Sequence, residues 1–115
     1  MADTLQMDES EFHQRVDAIL EAIESALDDV EADIDAERNG GILTLTFGND
    51  SKVIVNRQTP NREIWVAAKS GGFHFRWVAK GGVHGWYDTR SEEPLARLLS
   101  RVISMQSENV IAITL

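Results

Sequence analysis

Residues 41–58 read GILTLTFGNDSKVIVNRQ, and this stretch decides the fold because it predicts a β-hairpin. Between residues 42 and 47, apolar side chains alternate with threonines, which is the pattern of a strand buried on one face. The turn sequence GNDS follows at residues 48–51, and a second apolar strand follows at residues 52–56. Two short strands joined by a tight turn favour an antiparallel sheet.

Further strands are predicted after this hairpin. Residues 63–68 form one strand, and residues 73–77 form another with aromatic side chains on one face and polar ones on the other. A short strand ends at Trp86. Glycine pairs at residues 71–72 and 81–82 mark tight turns between these strands, so the strands are expected to form an antiparallel meander.

Two amphipathic helices flank the predicted strands. The first helix has Ser10 as its candidate N-cap, and the second is expected to begin near Ser91, also a candidate N-cap, with Glu92 and Glu93 in its first turn. Apolar residues recur at spacings of three and four in both helices: Phe12, Val16, Ile19, Leu20, Ile23, Leu27 and Val30 in the first, and Leu95, Leu98, Leu99, Val102 and Ile103 in the second.

The order of these elements predicts an α+β fold, a two-layer sandwich with both helices on one face of a five- to six-stranded, mainly antiparallel sheet. The length of 115 residues and the 43% hydrophobic content suit a single domain over residues 1–115. We expect residues 1–9 to be frayed. We expect the apolar tail at residues 108–115 to pack near the helices or to add an edge strand. The other sheet face is then open to water.

Acidic residues are concentrated in the first third of the chain. Thirteen of the 19 Asp and Glu residues lie within residues 1–37, where Arg15 is the only Arg or Lys, so this segment has a formal charge of −12 and residues 38–115 have +4. On a helix, five of the carboxylates fall within about 80° of one another. We call this set the carboxylate ridge: Asp17, Glu21, Glu24, Asp28 and Glu31.

The carboxylate ridge is unfavourable for its own helix. Like charges at these spacings destabilise a helix by about 0.2–0.5 kcal/mol per pair. The last ridge residues also lie near the expected carboxyl terminus of the helix, where the macrodipole favours cations. This arrangement predicts a site for metal cations or for a basic protein surface.

The carboxylates of this region are also candidate metal ligands. Side chains that offer only oxygen select hard cations such as Fe³⁺, Mn²⁺, Ca²⁺ and Mg²⁺, with Fe²⁺ borderline. An open helix surface leaves most water on the ion, so we expect weak binding. The candidate ligands are Asp17, Glu21, Glu24, Asp28, Asp29, Glu31, Asp33 and Asp35, with Glu37 beside them and His13 as a nitrogen ligand one turn before the ridge.

Composition disfavours several functional classes. The chain has no cysteine and therefore no thiolate nucleophile or thiolate metal site. It has no G-x-S-x-G or H-E-x-x-H motif, and exposed carboxylates are poorly suited to acid catalysis. An isoelectric point near 4.7 argues against nucleic-acid binding. With no apolar run of 18 residues and no secretory or transit signal, we expect a cytoplasmic protein that does not bind membranes.

The chain resembles the frataxin family, and in particular its bacterial branch, over about residues 10–105. The motifs that carry the resemblance are SEFH at 10–13, LDD at 27–29, NGG at 39–41, NRQ at 56–58, IW at 64–65 and GGFHF at 71–75. The resemblance implies the same helix–sheet–helix sandwich. It also implies weak iron binding on the acidic helix and first strand, and docking on the cysteine desulfurase of iron–sulfur cluster assembly, with an effect on sulfur delivery.

Site residues follow from this resemblance by position. Glu24, Asp28, Asp29, Glu31, Asp33 and Asp35 match the iron and desulfurase surface of the family, and Asn56, Gln58 and Trp65 match its sheet-side interaction face. Periodicity alone leaves a core position open for Trp65, whereas the resemblance implies an exposed one. Two departures are Ser25, where related chains carry an acid, and a longer connection between Trp77 and Trp86.

The leading hypothesis is a non-enzymatic regulator that binds Fe²⁺ or Fe³⁺ weakly, with other divalent cations as substitutes. Its expected partners are the cysteine desulfurase and the cluster scaffold protein. It is expected to be a monomer without metal, and iron-dependent assembly is left open. One alternative is a ferroxidase or iron-storage scaffold. Another is an acidic protein-binding chaperone, which would expose an apolar groove and dimerise.

Overall fold

The computed structural model describes residues 3–4 and 7–115. Within these ranges there are two helices and seven strands. In chain order these are β1 (Asp3–Thr4), α1 (Glu9–Asp28), β2 (Ile34–Asn39), β3 (Ile42–Phe47), β4 (Lys52–Gln58), β5 (Glu63–Ala68), β6 (Gly71–Lys80), β7 (Val83–Asp88) and α2 (Leu95–Ser107).

All strand pairs are antiparallel, and the predicted sandwich is confirmed. The strands lie in the order β1-β6-β5-β4-β3-β2, and β7 also pairs with β6. β6 has 10 residues, so one edge of it pairs with β5 through residues 71–76 and with the two-residue β1 at residues 78–79. β7 pairs with the opposite edge. The short β1 brings the described sheet to seven strands, against the five to six that were expected.

The core lies between the two helices and one face of the sheet. Strand alternation is as predicted, because Leu43, Leu45 and Phe47 of β3 are buried while the threonines between them are half-buried on the other face. The helices contribute Phe12, Val16, Leu20 and Ile23 from α1, and Leu95, Leu98, Leu99, Val102 and Ile103 from α2. Both apolar stripes therefore face the sheet. In the described part of the chain, neither helix is long and apolar enough to cross a membrane.

The ends of α1 differ from the prediction. Asp8, not Ser10, is the N-cap, and its carboxylate accepts a hydrogen bond of 2.7 Å from the backbone N–H of Glu11. The helix ends at Asp28 with Asp29 as C-cap. Glu31 therefore lies beyond the helix, and the expectation that it shares the helical ridge with the other four carboxylates is wrong.

The start of α2 is also later than predicted. It begins at Leu95 with Pro94 as N-cap, so Ser91 is not the N-cap and Glu92 and Glu93 are not in the first turn. Proline disfavours helical backbone in the residue before it, which prevents a helix from running through Glu93. Glu92 adopts a left-handed conformation with φ of 63°, so residues 89–94 form a turn.

Described residues near both ends of the chain pack against the sandwich. Of the residues expected to be frayed, Asp3 and Thr4 pair with β6 and Glu9 begins α1, while residues 1, 2, 5 and 6 lie outside the described part. The tail after α2 runs back along that helix without strand pairing among the described residues. Ile111 and Ile113 are buried there, and their backbone N–H groups donate to the hydroxyls of Ser104 and Ser100.

Candidate metal and partner surfaces

The exposed face of α1 carries the carboxylates predicted from the sequence, and two arginines from the sheet reach part of it. Arg38 on β2 donates to the Oδ1 of Asp17 at 3.1 Å and to the Oε1 of Glu24 at 3.4 Å. Arg57 on β4 also donates to the Oδ1 of Asp17. The amino-terminal half of the carboxylate ridge is therefore partly neutralised within the molecule.

Strand register explains why these arginines meet α1. Arg57 follows Val53 and Val55 on β4 at a spacing of two, so its side chain lies on the face that packs against the helices. Arg38 pairs with Leu43 across β2 and β3, and Leu43 is buried under the helices. Both guanidinium groups thus lie on the helix side of the sheet.

The ion pairs change the titration of Asp17. The hydrogen bond from Arg57 holds the pKa of the Asp17 carboxyl below its ordinary value, and the charges of Arg57 and Arg38 act in the same direction. Desolvation opposes this shift. Asp17 is therefore ionised at neutral pH, as the two arginines require.

His13, the predicted nitrogen ligand, contacts Arg57. Its Nδ1 accepts a hydrogen bond from Arg57 at 2.6 Å, since arginine can only donate. The ring proton is then on Nε2, which lies 3.5 Å from the Oε1 of Glu9. In this tautomer His13 has no free nitrogen lone pair, so a metal ion could bind it only by displacing Arg57.

The remaining predicted ligands lack such partners. In the described ranges 3–4 and 7–115, neither Glu21 nor any carboxylate between residues 28 and 37 forms an ion pair with an Arg, Lys or His. Five of them lie where α1 ends and β2 begins, and we call this set the acidic end: Asp28, Asp29, Glu31, Asp33 and Asp35. All five are exposed. The last turn of α1 contains no basic residue, so the negative end of its dipole is also uncompensated.

The acidic end is not a preformed chelate. Among the residues whose positions are described, no group of three or more His, Asp or Glu side chains is close enough to hold a metal ion. Carboxylate oxygens suit a hard cation, but one or two of them leave most of its coordination positions to water. The residues therefore fit weakly held, largely hydrated ions.

The open face of the sheet brings the other predicted residues together. Asn56 pairs with Trp65 across β4 and β5, and Trp65 pairs with His74 across β5 and β6. The indole of Trp65 stacks on the imidazole of His74, with 4.3 Å between ring centroids and 9° between planes. Gln58 pairs with Glu63 in the adjacent row. These positions form one polar and aromatic patch.

Glu63 holds this patch in place. Its side chain is buried although it lies on the open face, and Oε1 accepts a hydrogen bond of 2.8 Å from the indole N–H of Trp65. Oε2 accepts one of 2.6 Å from Arg76. Because of these contacts Trp65 is half-buried, intermediate between the core and exposed positions considered for it.

Sequence reasoning missed the roles of Arg38, Arg57 and Glu63. Two signals were present. Arg38 is the only Arg or Lys between Arg15 and Lys52, so it is the nearest counter-charge in sequence to the six acids from Asp28 to Glu37. Arg57 falls on the apolar period of β4, which places its charge on the helix side. No comparable pattern in the sequence indicates that Glu63 is buried on the open face of the sheet.

Comparison with known proteins gives consistent matches. A sequence model of the frataxin-like domain matches residues 5–109. The iron–sulfur cluster assembly protein CyaY of Paraburkholderia xenovorans is 52% identical over 101 residues, covering 88% of this chain and 92% of that protein. The CyaY of Pseudomonas aeruginosa is 48% identical over 95 residues, covering 83% and 86%.

Solved structures match as well. Frataxin from Psychromonas ingrahamii superposes with a TM-score of 0.84 at 36% identity, covering 95% of this chain and 100% of that chain. Trimeric frataxin from Saccharomyces cerevisiae, in a ferrous complex, gives a TM-score of 0.65 at 24% identity, covering 91% and 92%. The yeast match shows a shared fold only.

Proposed function

Since this chain belongs to the frataxin family, in its bacterial CyaY branch, we propose that it is a non-enzymatic, iron-binding regulator of iron–sulfur cluster assembly. It binds Fe²⁺ or Fe³⁺ weakly as cargo at the acidic end. It docks with the same surface on a cysteine desulfurase, and the cluster scaffold protein is a further partner. Asn56, Gln58 and Trp65 supply a second contact on the open face of the sheet.

One observation carries this proposal: the acidic end has five exposed carboxylates and, within the described residues, no Arg, Lys or His paired with them. Their mutual repulsion and the uncompensated dipole of α1 make this end unfavourable in the isolated protein. A cation or a basic protein surface bound there reduces both the repulsion between the carboxylates and the unfavourable interaction with the helix dipole. Asp17, earlier on the same helix, differs from these carboxylates because its charge is already compensated by two arginines.

The chemistry of the acidic end also suits delivery better than storage. Binding through one or two carboxylates at an exposed position leaves the ion hydrated and exchangeable. Exposed charges attract a partner over distances of about the Debye length, roughly 10 Å at 0.1 M salt, so they favour fast, salt-sensitive docking.

A neutralisation experiment tests the docking surface. We expect the triple variant Asp28→Asn, Asp29→Asn, Glu31→Gln to lose about tenfold or more in affinity for a cysteine desulfurase at low salt, as three exposed charge contacts of roughly 0.5 kcal/mol each add to about a tenfold change. Titration calorimetry or fluorescence anisotropy gives the affinity.

A matched control removes the same number of charges elsewhere. Glu9→Gln, Asp50→Asn and Glu108→Gln lie at the start of α1, in the β3–β4 turn and after α2. This control is expected to bind the desulfurase like the unmodified protein. Equal losses in both triple variants would mean that net charge alone matters and would overturn the assignment of the acidic end as the docking surface.

A further inference from the structure

We infer that Arg38 acts as a resident cation on α1, which excludes metal from Asp17 and Glu24 and confines it to the acidic end. This inference rests on the proposed function, since it concerns where on the acidic surface a metal ion binds.

The position of Arg38 is the first reason. Asp17 and Glu24 are seven residues apart, which is about two turns of α1, and a single guanidinium reaches both of them, at 3.1 Å and 3.4 Å. Glu21 lies on the helix between these two contacts and forms no ion pair with any described residue. Two carboxylates thus share one fixed positive charge, which lies where a metal ion between them would otherwise bind.

The second reason is the additional arginine at Asp17. Arg57 shares the Oδ1 of Asp17 with Arg38, so an incoming dication meets two guanidinium charges at that carboxylate. Like-charge repulsion and the loss of both hydrogen bonds oppose metal binding there.

The two arginines differ in how readily they can move. The side chain of Arg57 is 16% exposed and also holds His13, which makes it part of the packing between α1 and β4. The side chain of Arg38 is 26% exposed and extends from β2, a strand that pairs on one side only. Arg38 is therefore the removable cation. Its absence is expected to expose a second cation site at Asp17 and Glu24.

Substitution of Arg38 tests the inference. Mn²⁺ is titrated into the full chain, and paramagnetic broadening of backbone amide signals is recorded for the unmodified protein and for Arg38→Gln. In the unmodified protein, broadening is expected first at residues 28–35. In Arg38→Gln it is expected to extend to residues 17–24 at the same Mn²⁺ concentration, with about one further ion bound by equilibrium dialysis.

Two variants serve as controls. Arg101→Gln removes the same charge from an exposed arginine on α2, which pairs at 2.9 Å with Glu93 before that helix, and it is expected to keep the unmodified pattern. The double variant Arg38→Gln, Asp17→Asn is expected to lose the additional broadening at residues 17–24. Dispersed amide spectra establish that each variant is folded.

The outcomes separate the inference from the proposed function. Identical broadening in Arg38→Gln and the unmodified protein overturns the role of Arg38, and so does strong broadening at residues 17–24 before any substitution. Broadening that appears only at residues 17–24 of Arg38→Gln supports Arg38 as a blocking cation while contradicting metal binding at the acidic end. Absence of broadening in every variant overturns both.

Discussion

At the scale of single residues, Asp17 determines how α1 is tied to the sheet. It is the common acceptor of Arg38 from β2 and Arg57 from β4, so one carboxylate connects the helix to two strands. Arg57 also contacts His13, and its Nε is buried without a hydrogen-bond partner among the described groups. Loss of the Asp17 charge would leave a largely buried guanidinium with less compensation.

Replacement of Asp17 is expected to give a pH-dependent loss of stability. Because the pKa of Asp17 is lower in the folded protein than in the unfolded chain, its charge stabilises the fold above the unfolded-state pKa. This contribution is lost as pH falls through the folded-state pKa. We expect Asp17→Asn to reduce the free energy of unfolding by about 0.5–1 kcal/mol at pH 7, a value limited by the exposure of the carboxylate.

Urea unfolding of both proteins between pH 7 and pH 3 measures this difference. The difference in free energy of unfolding between the two proteins should become smaller as the pH falls toward 3, since protonated Asp17 resembles asparagine. Asp50→Asn, in the exposed β3–β4 turn, is a control for the general effect of removing a carboxylate. A gap that stays constant over the whole range would contradict the ion-pair explanation.

At the scale of secondary-structure elements, the acids at the carboxyl end of α1 lower the stability of the helix and also form part of the proposed binding surface. The helix ends in Asp28 and Asp29 with no basic residue in its last turn, whereas Asp8, Glu9 and Glu11 at its start suit the dipole. Acids at the start stabilise α1 and acids at its end destabilise it. The unfavourable end coincides with the proposed binding surface.

A charge reversal at each end of α1 tests this trade-off. Asp28→Lys is expected to raise the free energy of unfolding by about 0.3–1 kcal/mol while weakening binding to the desulfurase, because a cation there complements the dipole. Glu9→Lys makes the same change of charge at the other end and is expected to lower stability with little effect on binding. Thermal unfolding and a binding titration give both quantities. A destabilised Asp28→Lys variant that binds normally would contradict the account.

The elements themselves were predictable where the cause is local. The alternation at residues 42–47, the turn at residues 48–51 and the apolar stripe of α1 correctly predicted β3, the hairpin and the buried helix face. The start of α2 is later than predicted, because Pro94 disfavours helical backbone at Glu93 and the N-cap pattern at Ser91 does not include this effect. Glu31 was placed on the helix because angular spacing does not indicate where a helix ends.

At the scale of the whole molecule, charge is separated along the chain and not evenly spread. Residues 1–37 have a formal charge of −12 and residues 38–115 have +4. The longest dimension is 38 Å, several times the Debye length of about 10 Å at 0.1 M salt. The acidic end therefore acts as a local surface whose field is little reduced by distant basic residues.

Pairing across the fold limits what could be predicted for the site. Arg57 is 40 residues from Asp17, and Arg38 is 21 residues from it. These contacts depend on strand register and helix position together, which a pattern of charges does not specify. The charge pattern therefore predicts a uniformly free ridge, whereas among the described residues Asp17 and Glu24 are paired and Glu21, Asp28 and Glu31 are not.

The most direct measurement is the affinity of the unmodified protein for a cysteine desulfurase as a function of ionic strength, with and without Fe²⁺. If exposed carboxylates account for the docking, the affinity falls about tenfold or more between about 0.05 M and 0.5 M salt, because screening shortens the range of attraction. Saturating Fe²⁺ should reduce this salt dependence by neutralising the acidic end. An affinity that does not change with salt or with Fe²⁺ would contradict the central claim.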